Sequence, residues 1–302
     1  MKNKKDSNFI VSKKTAIICG DGELPIIVTN ELVNKNCNFI ILCFDEKNEK
    51  YFKQNIKEIK KQIFSISLNN IMHILYLLKN NNVRQVVCCG GVKFPGLRNL
   101  NIFNFSNIIF KLKLIKYIMI ALFSKQKGDN FLLTLAEKIL KTENCEVIAV
   151  QTILPNLLCN KKDEINNKLS LKYKKDINYG SLILDKISPY DIGQSIVVCN
   201  GRVIGIEGVE GTQNLIKRCG KYYKDWLNNG SAVNKNKPIL IKKSKIGQNK
   251  KLDIPTIGKK TICDLIENDF AGIVIELNKV FILNRSEILE QCKKHNFFLK
   301  II

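Results

Sequence analysis

Apolar and polar positions along this chain repeat with two periods, and the switches between them lay out its elements. Thr15-Ala-Ile-Ile-Cys19 is a short unbroken apolar run stopped by Gly20, the pattern of a strand buried on both faces. Gly20-Asp21-Gly22-Glu23-Leu24-Pro25 follows and opens a helical pattern through Val33. Asn38 to Phe44 reads as a second strand and Ile71 to Leu78 as an apolar helical face. Val83 to Cys88 reads as a further strand, which ends in Gly90-Gly91-Val92-Lys93-Phe94-Pro95. Strand, helix and strand in this order predict a parallel sheet with ligands at the carboxyl ends of its strands. Ile102 to Phe123 is apolar but interrupted by Lys111, Lys113 and Lys116, which fits an amphipathic helix or helix pair. Such a segment is either a basic interfacial helix or a packed helix with one solvated edge. Lys127-Gly128-Asp129-Asn130 precedes a strongly periodic helix from Phe131 to Leu140, with Asp129 in position to cap it. Glu146 to Gln151 reads as the next strand.

The polar stretch Cys159 to Asn178 reads as a connection between domains, in part helical. Beyond it, Ser195 to Cys199 and Arg202 to Ile206 flank Asn200-Gly201, the strongest short hairpin signal in the chain. A helix from Gln213 to about Cys219 and a strand from Pro238 to Lys242 follow. Gly272 to Glu276 and Lys279 to Leu283 read as strands across a turn at Asn278, and Arg285 to Lys294 as a closing helix. The pattern predicts an α/β protein of two domains. Residues 13–154 would form a Rossmann-like parallel sheet, and residues 155–302 a mixed α/β domain.

Charge changes the picture of partners. Across 302 residues, 49 Lys+Arg stand against 27 Asp+Glu, a formal net charge of +22 that favours anionic partners such as phosphorylated substrates, anionic lipid or nucleic acid. The 11 cysteines are scattered without a Cys-x-x-Cys, and only His73 and His295 are present. That argues against a zinc site and a disulfide framework and points to a reducing compartment. Met1 to Ser12 lacks the apolar core of a signal peptide, and no run reaches the roughly 18 apolar residues of a spanning helix, so a soluble protein is expected.

Several residues are candidates for chemistry. Asp253 is a lone carboxylate between Lys242, Lys243, Lys245, Lys250 and Lys251 and a Pro-Thr-Ile-Gly turn. Pro255 disfavours helix at Ile254, and Thr256 is placed to cap a helix beginning near Lys259. An acid so fixed suits a bound phosphate and its metal ion, or else it is a solvated turn residue. Gly20-x-Gly22-x-x-Pro25 resembles half of a dinucleotide fingerprint, with Asp45 near the spacing of a ribose-binding acid. Gly90-Gly91 gives backbone N–H groups a second place to meet phosphate. Glu207 and Glu210 are either a paired-carboxylate or Mg²⁺ site, or a strand-end charge and a charge in a helix first turn.

Six segments occur in the order seen in the LpxI family, the UDP-2,3-diacylglucosamine pyrophosphatases of lipid A biosynthesis. They are Gly20-Asp-Gly-Glu-Leu-Pro25, Gly90-Gly-Val-Lys-Phe-Pro95, Gly128-Asp-Asn130, Asp191-Ile-Gly-Gln-Ser195, Glu210-Gly-Thr212 and Asp253-Ile-Pro-Thr-Ile-Gly258. The resemblance covers roughly Lys14 to Phe298. It implies two α/β domains with the substrate between them, and Mg²⁺-dependent hydrolysis to UMP and 2,3-diacylglucosamine 1-phosphate. It places the essential aspartate, also the metal ligand, on Asp253. Substrate contacts would fall on Gly22, Glu23, Gly90, Gly91, Val92, Lys93, Gly128, Asp129, Gln194, Glu210, Gly211, Thr212, Gln213, Lys242 and Thr256. Phe94, Asn130, Gln213, Ile246 and Asn249 depart from the usual pattern, which loses three carboxylates. The resemblance also implies a cytoplasmic enzyme in transient contact with the inner-membrane surface and without a nucleic-acid partner, a homodimer being one assembly open to it. Two other readings remain at this point: a nucleotide- or NAD-binding oxidoreductase using the Gly20 turn, and a basic nucleic-acid-binding protein.

Overall fold

Thr15–Cys19 forms β1 at the centre of a five-stranded parallel sheet, where an uninterrupted apolar run is what burial on both faces requires. The computed structural model describes residues 9–56, 62–92, 129–229 and 236–302. The expected amphipathic segment Ile102 to Phe123 lies outside them, as do Lys93, Phe94, Pro95 and Gly128. The chain divides into two compact units. One holds Met1–Pro155 with Asn249–Asp253, the other Asn156–Gln248 with Ile254–Ile302.

In the first unit β1 is joined by β2 (Phe39–Cys43), β3 (Ile63–Ser65), β4 (Gln85–Cys89) and β5 (Glu146–Val147), in the spatial order β3-β2-β1-β4-β5. Ala16, Ile40, Leu42 and Val86 face Leu75, Leu77 and Leu78 of the helix Ile71–Asn80. The alternate residues Ile17, Ile41 and Val87 are buried on the opposite face. The chain leaves β1 towards β2 and β3 on one side, whereas β4 leads to β5 on the other. The connections leaving the carboxyl ends of β1 and β4 therefore run to opposite sides, and such a switch point is where open α/β sheets bind ligands. The strand expected to reach Gln151 ends at Val147, and Val150–Ile153 forms a helical turn that buries Val150 and Ile153. A short apolar run fits strand and helix equally, and packing chose here.

The sheet of the second unit is mixed. β6 (Ser195–Cys199) runs antiparallel to both of its neighbours, β7 (Arg202–Ile206) and β8 (Ile239–Lys242). β10 (Gly272–Ile275) and β12 (Phe298–Ile301) continue parallel to β8. Asn200 and Gly201 take φ of 51° and 74°, the paired left-handed conformation of a tight hairpin turn. Phe298–Ile301 follows the helix Arg285–Lys294 and supplies an edge strand beyond the last element expected from the sequence. Phe281–Ile282 (β11) does not return along β10. Strands β8 and β12 occupy both edges of β10, so β11 pairs instead with Thr256–Ile257 (β9) in a two-stranded parallel ladder. The helix expected to end near Cys219 runs Gly211–Asn228. Gly220 marks a close approach inside it, since a Cβ there would stand 2.6 Å from the Asn268 Cβ. The helix Lys174–Ile187 begins within the polar connection, runs beyond its expected end at Asn178 and packs on β6 and β8. No described helix is long and apolar enough to cross a membrane.

That helix also carries the residue that holds the hairpin. Asp176 is buried, and its two carboxylate oxygens accept from the N–H groups of Gly201 at 2.7 Å and Asn200 at 3.0 Å. Asp176→Ala removes the charged acceptor that both turn N–H groups share. It should cost about 2–4 kcal/mol of stability, read as a lower urea midpoint at unchanged slope. A midpoint like that of wild type would refute this account.

Candidate functional site

The two glycine turns of the first unit leave the carboxyl ends of the adjacent strands β1 and β4 and lock together through backbone. Asp21 N–H donates to the Gly91 carbonyl at 2.8 Å, and Gly91 N–H returns a bond to the Asp21 carbonyl at 3.1 Å. A Cβ on Gly20 would stand 2.2 Å from the Gly91 oxygen, so only glycine permits the approach. Gly22 and Gly90 take φ of 90° and 86°. The buried Asn48 amide donates to the carbonyls of Gly20 at 2.7 Å and Gly22 at 3.2 Å, which fixes the first turn from below. Glu23 ends that turn, exposed, as the N-cap of the helix Leu24–Asn34. Val92 follows the second turn, half-buried. Asp45 caps the helix Glu46–Asn55 by accepting from Asn48 N–H at 2.9 Å, a structural use for the residue spaced like a ribose-binding acid. Asp129 is the first residue of the helix Asp129–Thr142, one position inside the cap expected for it.

Asp253 closes the segment Asn249–Asp253, which belongs to the first unit, and its N–H donates to the Asn249 carbonyl at 2.9 Å. The extended course expected at Ile254-Pro255 leads into β9. Thr256 does not cap the following helix. Its hydroxyl donates to the Ile254 carbonyl at 3.1 Å, and Gly258 is the N-cap of the helix Lys259–Glu267. Thr256 lies within β9, and pairing with β11 carries the chain two residues further before the helix begins.

In the second unit a charged cluster sits at one end of the sheet, where β8 finishes at Lys242 beside the first residue of β6. Lys242 is buried, only 7% exposed, and Ser195 is fully buried. The Lys242 ammonium donates to Thr212 Oγ1 at 2.8 Å and to Ser195 Oγ at 3.4 Å. Thr212 passes its single proton to Glu207 Oε1 at 2.7 Å, because a carboxylate only accepts. Burial by itself would raise the Glu207 pKa. The Lys242 ammonium, with Ser195, Thr212 and the Gln194 backbone, outweighs that effect and holds the carboxyl below its usual range. Gln194 joins the same end through its carbonyl, which accepts from Lys243 N–H at 2.9 Å. Gly211, Thr212 and Gln213 form the first turn of the helix Gly211–Asn228, and Gln213 is exposed. Glu210 pairs with Arg218 at 2.5 Å. Glu207 and Glu210 are thus not a carboxylate pair: one is a strand-end charge facing a lysine, the other an exposed partner of an arginine.

Sequence reasoning missed the roles of Glu207 and Ser195. The signal available was a lysine closing the buried run Pro238-Ile-Leu-Ile-Lys242, since a buried ammonium requires partners. Among the described residues no group of three or more His, Cys, Asp or Glu converges as a ready metal cage.

The linkage at Glu207 has a definite sign. A carboxyl held below its unfolded value, about 4.3 for Glu, stabilises the fold above that pH and loses the contribution as pH falls through the folded value. Glu207→Gln should therefore cost about 1–3 kcal/mol at pH 7, and the gap to wild type should narrow on acidification. Urea denaturation at pH 7 and near pH 3 reads it, and a gap of equal size at both would refute it.

Residues 14–157 match the LpxI N-terminal domain and residues 162–300 the LpxI C-terminal domain. Over 201 residues the chain is 25% identical to the UDP-2,3-diacylglucosamine pyrophosphatase LpxI of Caulobacter vibrioides, an alignment spanning 67% of this chain and 70% of that protein.

Proposed function

The chain belongs to the LpxI family, and from that premise we propose that it hydrolyses the pyrophosphate bond of UDP-2,3-diacylglucosamine to UMP and 2,3-diacylglucosamine 1-phosphate. The observation that carries the reading is the match of both halves of the chain, in order, to the two domains of that family.

Hydrolysis of a pyrophosphate needs charge neutralisation and a placed water more than covalent catalysis. Water oxygen bonds to one phosphorus as the bond from that phosphorus to the bridging oxygen breaks. The bridging oxygen leaves with the other phosphate, and the water proton passes to solvent or product. Lys242 is assigned to the phosphates. Thr212 and Ser195 accept from two of its three N–H donors, and the third would serve a phosphate oxygen. Within the first unit, the N–H groups of the turns at Gly22-Glu23 and Gly90-Gly91-Val92 are suited to phosphate oxygens. Asp253 orients the attacking water or holds the metal.

Magnesium is the metal this reading carries. Mg²⁺ commonly binds one or two carboxylates and completes its shell with substrate phosphates and water, a donor set that a single aspartate fits. Asp253 would be that carboxylate, and the ion would supply neutralisation of the charge on the phosphoryl oxygens. A two-chain lipid substrate also implies work at a membrane surface from the cytoplasmic side.

Product analysis by mass spectrometry tests the reaction. UMP and the diacylated sugar 1-phosphate should form with Mg²⁺, stop with excess EDTA and return when Mg²⁺ is restored. Full turnover in EDTA would reject the metal, and an absence of UMP under every condition would reject the reaction. Asp253→Asn keeps the shape and removes the charge. Its kcat should fall roughly 10²-fold or more, about 2.7 kcal/mol of barrier, with the melting temperature nearly unchanged. Near-normal turnover in that variant would remove Asp253 from the mechanism.

A further inference from the structure

Asp253 ends a turn that is tied down by a residue far from it in sequence. The helix Asp129–Thr142 of the first unit presents Glu137, half-buried, to the segment Asn249–Asp253. The Asn249 amide donates to Glu137 Oε2 at 2.6 Å, and the Lys251 ammonium lies 3.6 Å from Glu137 Oε1. One carboxylate thus grips two residues of the turn, one on each oxygen. Inside the turn, Asn249 Oδ1 accepts from Lys251 N–H at 3.1 Å, while the Asn249 carbonyl accepts from Leu252 N–H at 3.0 Å and Asp253 N–H at 2.9 Å. Gln151 adds a bond to the Lys250 carbonyl at 3.0 Å, and Leu252 packs against the apolar core of the first unit.

We propose that Glu137 is a positioning residue for Asp253. It acts through Asn249, whose amide it holds and whose carbonyl receives the Asp253 N–H. The inference rests on the reading of Asp253 as the aspartate of a pyrophosphate hydrolase. It goes beyond that reading by naming what fixes the aspartate in place and why an amide stands at 249. Both oxygens of the Asn249 side chain and main chain already accept from within the turn, so only its N–H₂ is left to face Glu137. A carboxylate at 249 would keep the bond to Lys251 N–H but set two like charges against each other across the gap now bridged by a hydrogen bond. Rotating the Asn249 amide to suit an altered partner would lose the Lys251 bond. The polarity of the contact is therefore fixed: donor on 249, acceptor on 137.

A polarity reversal tests this. Asn249→Asp makes the contact acceptor against acceptor, and Glu137→Gln leaves one amide oxygen for two donors, so that either Asn249 or Lys251 faces an N–H₂ group. The double variant restores one donor and one acceptor with the formal charge of wild type. All four forms of the full chain are assayed with UDP-2,3-diacylglucosamine, with melting temperatures and hydrogen exchange of the segment holding the Leu252 and Asp253 amides. Each single variant should lose roughly 10-fold in kcat with KM changed less than about 3-fold, and exchange in the segment should quicken. The double variant should return kcat to within about 3-fold of wild type and slow the exchange again. Single variants with wild-type kcat, or a double variant that melts normally yet stays as impaired as the singles, would overturn the assignment. If a single variant does not fold, Glu137→Ala replaces it, with the same loss of kcat expected and unchanged kcat counting against the proposal. A wild-type chain that releases no UMP, or an Asp253→Asn chain as active as wild type, brings down the functional reading and this inference together. Failure of the reversal alone leaves the functional reading standing.

Discussion

An ammonium group at the end of a buried strand is the constraint around which the second unit is arranged. Removing Lys242 from water costs several kcal/mol unless compensation is close and well directed. The compensation comes from three separate segments: Ser195 opening β6, Glu207 just past β7 and Thr212 in the first turn of the helix Gly211–Asn228. Each is brought to Lys242 by the antiparallel course of β6, which places its first residue beside the last residue of β8. An all-parallel sheet would have carried the start of β6 to the opposite end. The mixed topology and the buried charge therefore belong together.

The first unit shapes the carboxyl ends of β1 and β4 without buried charge. Its turns are joined backbone to backbone, with Asn48 satisfying two carbonyls beneath them. Neutral amides cost less to desolvate than an ammonium, so these turns need close packing and glycine more than they need counter-charges. Two glycines there, Gly20 and Gly90, have backbone atoms where a Cβ would stand. Their presence is accounted for by the fold before any ligand is considered.

Part of the positive charge is locally paired. Lys243 pairs with Asp185, Lys245 with Asp191 and Lys251 with Glu137, so the basic run before Asp253 is not a uniform positive strip. Ion pairs that keep contact with solvent contribute little stability singly. Their effect is to fix loop direction, and at Lys251 the loop so fixed is the one that ends in Asp253.

The periodicity by itself determined the parallel sheet of the first unit, the Asn200-Gly201 hairpin and most strand positions, because buried strands and tight turns leave local marks in residue type. The order of short motifs marked the family and singled out Asp253. What sequence left undecided was pairing. Val150–Ile153, Phe281–Ile282 and Phe298–Ile301 are short runs whose state depends on which neighbour has an open edge or face. The same holds for the site. Glu207 and Glu210 are equivalent carboxylates three residues apart in the chain, yet one compensates a buried lysine and the other, exposed, pairs with an arginine. Glu137 reads as an ordinary helix-surface charge until Asn249 is folded against it. Electrostatic partnership depends on distance and burial, and both arise only when segments remote in sequence are brought together. Tertiary structure alone could therefore decide which charges position others.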